Sequence, residues 1–220
     1  MPPTCRQYVS LAMSAMLVCQ PLFAFQTPLS DTAVREAYFL GQRHDQSVSD
    51  FFAKYAKPLP APQYGPYIST IRFLTPYAQV VSLSGSKSAG YSAQQAERDH
   101  HADAETVIVS VDIYLTNSYG PFLAAPTDSR SGSPVGLTPR SSDFWQDFDV
   151  AVVSDSKALA PQSISGQPLY NCSEYHCSLN GATITLTFAA ANFPSDSVTV
   201  NVVPPEGDEV NVDFDLTSFR

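Results

Sequence analysis

Positive charge is scarce in this chain. Twelve Lys and Arg stand against 21 Asp and Glu, which leaves a formal net charge of -9. Phosphate contacts need a surplus of Lys and Arg, so the balance excludes the nucleic-acid-binding classes. Charge of either sign is thin, at 15 % of the 220 residues, which argues against a coiled coil or a long solvated helix. Glycine is also sparse, with 10 residues against 18 prolines. No run approaches the roughly 18 consecutive apolar residues of a membrane-spanning helix. The sequence holds no G-x-S-x-G, no H-E-x-x-H, no phosphate-binding loop and no G-x-G-x-x-G, so no motif calls for a cofactor.

Apolar side chains are plentiful, at 44 %, which excludes a wholly disordered chain. At this length a single domain buries about 70 % of the surface its unfolded chain exposes.

Residues 1–25 read as a secretory signal peptide. Arg6 is the only charge before Asp31, and Tyr8 to Val18 form an apolar run of leader length that Pro21 interrupts. Leu22-Phe23-Ala24 supplies a small residue for cleavage, so the mature chain is expected to begin at Phe25 or Gln26. Cys19 offers a second reading as a lipid-attachment site, although Val18 before it is larger than that processing prefers. Export to the periplasm or exterior follows, with no transmembrane segment in the mature chain. Cys172 and Cys177, the pair left after processing, then read as a local disulfide. Closing so short a loop stabilises by only about 2 kcal/mol on the chain-entropy estimate.

Residues 26–66 read as a small helical appendage with a Pro-rich connector. Ser30 or Asp31 can cap a helix through Gly41, and a second helix is expected from near Ser47 to Lys57-Pro58. From residue 67 to 220 the rhythm changes to two. Ile71 and Phe73, Tyr77 to Leu83, Val107 to Leu115, Phe148 to Val152, Ile184 to Phe188 after a turn at Asn180-Gly181, Val198 to Val202 and Val210 to Leu216 read as seven strands. Alternation of this kind marks strands buried on one face and paired antiparallel. No helical pattern separates them, which excludes βαβ units. The fold class is therefore mainly β: an antiparallel β-sandwich of immunoglobulin-like architecture, with a small β-barrel as the alternative. Ser84 to Glu105, with a helical turn at Ala93 to Arg98, and Ala124 to Ser142 are polar loops.

Negative charge is uneven. Residues 141–220 hold 11 acids against Lys157 and Arg220, whereas residues 26–140 are nearly balanced. Asn211, Asp213 and Asp215 fall on the outward face of the last strand, which protects an edge against strand pairing.

Three groups of residues could carry chemistry. His100, His101 and Asp103, in the run Asp99 to Glu105, form the only dense set of imidazole and carboxylate groups, the ligand types of zinc, manganese or non-haem iron. Tyr119, Trp145 and Tyr175 flank strand ends and could form a flat platform for a sugar or peptide. Ser84 to Lys87 and Ser154 to Lys157 both match S-x-x-K, but in Ser-rich loops without the supporting K-T-G. The functional expectation is a non-catalytic binding or interaction protein whose partner is an envelope protein or a glycan. A metal-dependent hydrolase using residues 99–105 and a structural envelope subunit are the alternatives.

Overall fold

The computed structural model describes residues 25–87, 90–124, 136–174 and 176–220. Cys5, Cys19 and the rest of the leader through Ala24, residues 125–135 of the second polar loop, and Tyr175 lie outside the described residues.

In chain order the elements are α1 (Asp31–Gly41), α2 (Gln46–Ala53), β1 (Ala56–Pro58), β2 (Tyr67–Leu74), α3 (Pro76–Ser86), α4 (Ala93–Ala102), β3 (Thr106–Tyr114), β4 (Phe122–Ala124), β5 (Leu137–Pro139), β6 (Asp149–Ser154), β7 (Lys157–Leu159), β8 (Ser163–Cys172), β9 (Cys177–Ala189), β10 (Ser197–Val203) and β11 (Val210–Asp215). The molecule is mainly β, with antiparallel sheets and four helices, and the described strands form no closed barrel. One sheet has the order β1-β2-β3-β9-β8, a second β11-β10-β6-β7, and β4 and β5 make a separate ribbon. None of the described helices is long and apolar enough to cross a membrane.

Two-residue alternation explains both large sheets. In the first, Ile71 and Phe73, Val107 to Ile113 at every second position, and Ile184, Leu186 and Phe188 all turn inward and are buried. In the second, Val152, Val198, Val200, Val202, Val212 and Phe214 do the same, and all these side chains belong to one apolar cluster. Each such side chain stabilises by roughly 1.5–3 kcal/mol relative to exposure. The opposite face of the second sheet is polar: Asn211, Asp213 and Asp215 point to solvent along edge strand β11.

The helices occupy a second, smaller cluster. α1 starts at Ser30, whose side chain accepts from the Ala33 N–H, and buries Ala33, Val34 and Ala37. Those residues meet Tyr77, Val80 and Val81 of α3 and Ala96 of α4. α2 is capped by Asp45, which accepts from the Ser47 N–H.

Three readings of the sequence are corrected. Tyr77 to Leu83 is a helix, not a strand. The run Tyr77, Ala78, Val80, Val81 satisfies both periods, but Thr75 Oγ1 accepts from the Ala78 N–H at 3.3 Å and Pro76 occupies the first turn. That is the N-terminal signature of a helix. The stripe Tyr77, Val80, Val81 and Ser84 is then buried at helical spacing. Helices therefore do separate two strands, although β2 and β3 still pair antiparallel. Finally, Asn180-Gly181 lies inside β9 instead of turning. A Cβ at Gly181 would sit 2.1 Å from the Ile113 carbonyl oxygen, so the glycine serves close approach of β3. The preceding strand, β8, reaches back along β9 to the hairpin closed by Cys172 and Cys177.

Thr75 also donates to the Arg220 carbonyl at 2.5 Å and is fully buried. Thr75→Val, which keeps the shape and removes the hydroxyl, is expected to cost about 1–3 kcal/mol through the lost cap and an orphaned carbonyl. Thr75→Ser should retain most of that stability. Urea titration of the two variants checks this, and equal midpoints would remove the capping role.

Candidate functional site

Helix α4 decides where the histidines go. Ser92 caps it by accepting from the Gln95 N–H at 3.2 Å, and Ala96 is its buried contact. His100 and His101 fall in its last turn, where the exposed carbonyls favour donors and positive charge. Adjacent residues on a helix lie 100° apart, so the two rings diverge. His100 Nε2 meets Glu105 Oε1 at 2.8 Å, whereas His101 Nε2 meets Asp31 Oδ1 at 2.8 Å on the exposed side. Asp103, the residue after α4, is exposed and has no ion-pair partner among the described residues. Among the described residues no three His, Cys, Asp or Glu side chains are grouped to hold one metal ion.

Glu105 is the centre of this region, although in the sequence it only closes the cluster. Its carboxylate accepts from Thr27 Oγ1 at 2.6 Å, from the Leu29 N–H at 2.5 Å and from His100. Burial pushes the carboxyl up, but the His100 bond, the Leu29 amide and the Thr27 hydroxyl outweigh it and hold it below its ordinary value. One carboxylate thus joins the segment before α1, the end of α4 and the start of β3.

The His100–Glu105 pair lines a cavity of about 470 Å³. Leu74, Pro76, Val80, Leu83, Ala96 and Ile108 supply apolar lining, and Tyr91, Asp99 and Asp103 supply polar lining. Tyr91 is pushed up to about 12, by burial first and then by the Asp99 carboxylate that accepts its hydrogen bond. Among the described residues no Lys or Arg lines the cavity. The volume falls in the ordinary range of small-molecule sites.

Of the aromatic candidates, Tyr119 and Trp145 fall within the described residues. Tyr119 is only 1 % exposed, packed beside Phe144 and Phe148 with the Arg140 guanidinium 3.6 Å above its ring. Trp145 is partly buried against β8, and Tyr175 lies outside the described residues. The Cys172–Cys177 disulfide is present. Neither S-x-x-K match is set up for catalysis. Ser84 is fully buried inside α3, and Ser154 to Lys157 form the turn from β6 to β7, with its hydroxyl bonded to Ser195. Comparison with known families gives no matching family model, and comparison with the curated proteins gives no matching sequence.

Two outcomes follow from this geometry. Glu105→Gln should destabilise by about 1.5–3 kcal/mol, the usual worth of hydrogen bonds to a charged group. Because the folded carboxyl lies below its ordinary value of 4.5, its contribution is full above pH 4.5 and is lost as pH falls below it. Melting temperatures from pH 3 to 7 should therefore show a steeper acid decline in the parent than in Glu105→Gln; parallel curves would contradict the clamp. Secondly, a Cβ at Gly166 would sit 2.1 Å from the Trp145 indole. Gly166→Ala should displace the chain's single Trp and shift its emission to longer wavelength, and an unchanged spectrum would refute that packing.

Proposed function

We propose that the chain is an exported, acidic, non-catalytic binding protein, built on an immunoglobulin-like β-sandwich, that holds a component of the cell envelope. The observation carrying this reading is the 470 Å³ cavity beside α3 and α4, whose best chemical pair is already committed. Glu105 accepts three hydrogen bonds that tie the fold together, so it is poorly placed to exchange protons with a substrate. The divergence of His100 and His101 toward separate carboxylates supports binding over the metal-dependent hydrolase. The disulfide supports an oxidising destination. The structural-subunit alternative draws support from β8, a ten-residue strand at the edge of its sheet.

Processing bears on this reading as well. Phe25 is buried, with its ring 6.5 Å from that of Phe193. Cleavage after Ala24 keeps this contact, and cleavage after Phe25 discards it. Fractionation of cells expressing the full chain, followed by intact-mass measurement, should find an oxidised product beginning at Phe25 outside the cytoplasm, with stability indifferent to chelator. An unprocessed cytoplasmic product with free thiols would overturn export. Stoichiometric transition metal, with stability lost on chelation, would restore the hydrolase.

A further inference from the structure

The cavity has a polarity along it. Aliphatic side chains from β2, α3, α4 and β3 make its floor: Leu74, Val80, Leu83, Ala96 and Ile108. Three carboxylates, Asp99, Asp103 and Glu105, stand on the side formed by the end of α4 and the chain leading into β3. They differ in how far they are already engaged. Glu105 has three donors, and Asp99 accepts from Gln95 at 2.5 Å and from Tyr91. Asp103 is exposed and has no ion-pair partner among the described residues. Lys87 Nζ lies 5.8 Å from the Tyr91 ring but Lys87 is not part of the lining, and His100, which is, is held by Glu105.

This combination selects among ligand classes. An anion would face three carboxylates across a low-dielectric floor, and like charges there are costly. A glycan prefers free aromatic faces to stack on, whereas the aromatic rings of the lining are Tyr91 and His100, the latter already bonded to Glu105. A neutral apolar molecule would fill the floor and leave the acidic wall uncompensated. We propose that the cleft binds a cationic amphiphile: a small molecule with an alkyl or aryl body and an amine or quaternary ammonium head. The body lies on the aliphatic floor, and the head sits beside Asp103 with Asp99 and Glu105 behind it. The assignment deepens the binding reading and rests on it.

Calorimetric titration of the processed full chain with three probes of equal chain length tests this: octyltrimethylammonium, 1-octanol and octanoate, each below self-association. Octyltrimethylammonium should bind at one site about tenfold more tightly than octanol, a difference of about 1.4 kcal/mol that a few partly exposed charge contacts supply. Octanoate should be the weakest. The Asp99→Asn, Asp103→Asn double variant should abolish the preference while octanol binding stays the same. Leu83 is 41 % exposed, so Leu83→Trp can fill the cleft without disturbing the core; it should remove binding of both octyl probes at an unchanged melting temperature. Equal affinity for the three probes, or a preference that survives the double variant, overturns the cationic assignment and leaves cleft binding intact. No binding of any probe, in a protein shown to be folded and processed, overturns both the assignment and the cleft as the binding site.

Discussion

Phe73 sits where the parts of the molecule meet. Its ring on β2 lies 5.7 Å from Phe214 of β11, 5.3 Å from Phe193 before β10 and 5.8 Å from Phe219 near the chain's last residue. Both large sheets thus reach one aromatic cluster. Neither sheet could keep its apolar face in water, since a row of buried Val, Ile and Phe contributes several kcal/mol only when another apolar surface covers it. Register follows from the same requirement. Sliding β3 by one residue along β2 would carry Val107, Val109, Val111 and Ile113 out of the apolar core and turn Asp112, buried with polar partners on the other face, into it. Asp112 can lie on its own side only because Arg72 Nη2, at 2.6 Å, and Thr183 Oγ1, at 2.8 Å, satisfy it there.

The helices are tied to this core by backbone groups more than by surface charge. The Arg220 carbonyl accepts from Thr75 and Tyr55, and the Arg220 N–H donates to the Tyr55 hydroxyl. Tyr55 in turn stacks on Phe219 with centroids 4.4 Å apart. The Arg220 side chain reaches Glu36 on α1 at 3.1 Å, but both groups are solvent-exposed, and such pairs are worth little. On the other side of α1, Glu105 performs the equivalent task with a half-buried carboxylate. Burying a charge there is tolerable because three donors compensate it.

Legibility in the sequence tracks how one-sided each element is. β9, β10 and β11 alternate a buried row with a more exposed one, and β3 sets Val107, Val109, Val111 and Ile113 against Ser110 and Asp112, so alternation reveals them. β8 does not: Ile164 is 56 % exposed and Tyr170 52 % exposed, while Gly166 and Pro168 suggest a loop. It exists because β9 offers a full set of partners and because Gly166 leaves room for the Trp145 indole, a tertiary fact with no local signature. α3 reads as a strand for the opposite reason. Its apolar residues are dense enough to fit two periods, and the deciding feature was Thr75-Pro76, one residue outside the pattern. The site was legible only in part. The run Asp99 to Glu105 stood out by composition, yet its divergence came from the helix beneath it, and the floor residues Leu74, Val80 and Ile108 look like ordinary core positions.

The placement of the cavity has a structural logic of its own. It lies under the excursion that the chain makes between two paired neighbours, leaving the first sheet after β2 and returning at β3. α3 and α4 fill that excursion, and the cavity is the space left between them and the adjoining ends of β2 and β3. Such an excursion can change its residues without altering the inward rows of Val and Ile, which makes it a natural carrier of specificity. Its acidity is also local. Residues 26–140 hold 10 acids and nine bases and are almost neutral as a whole, yet the cavity within them is lined, among the described residues, by three acids and no Lys or Arg. Net charge, which concentrates in residues 141–220, therefore describes the outer face of the molecule, while the field inside the cleft is set by where α4 ends.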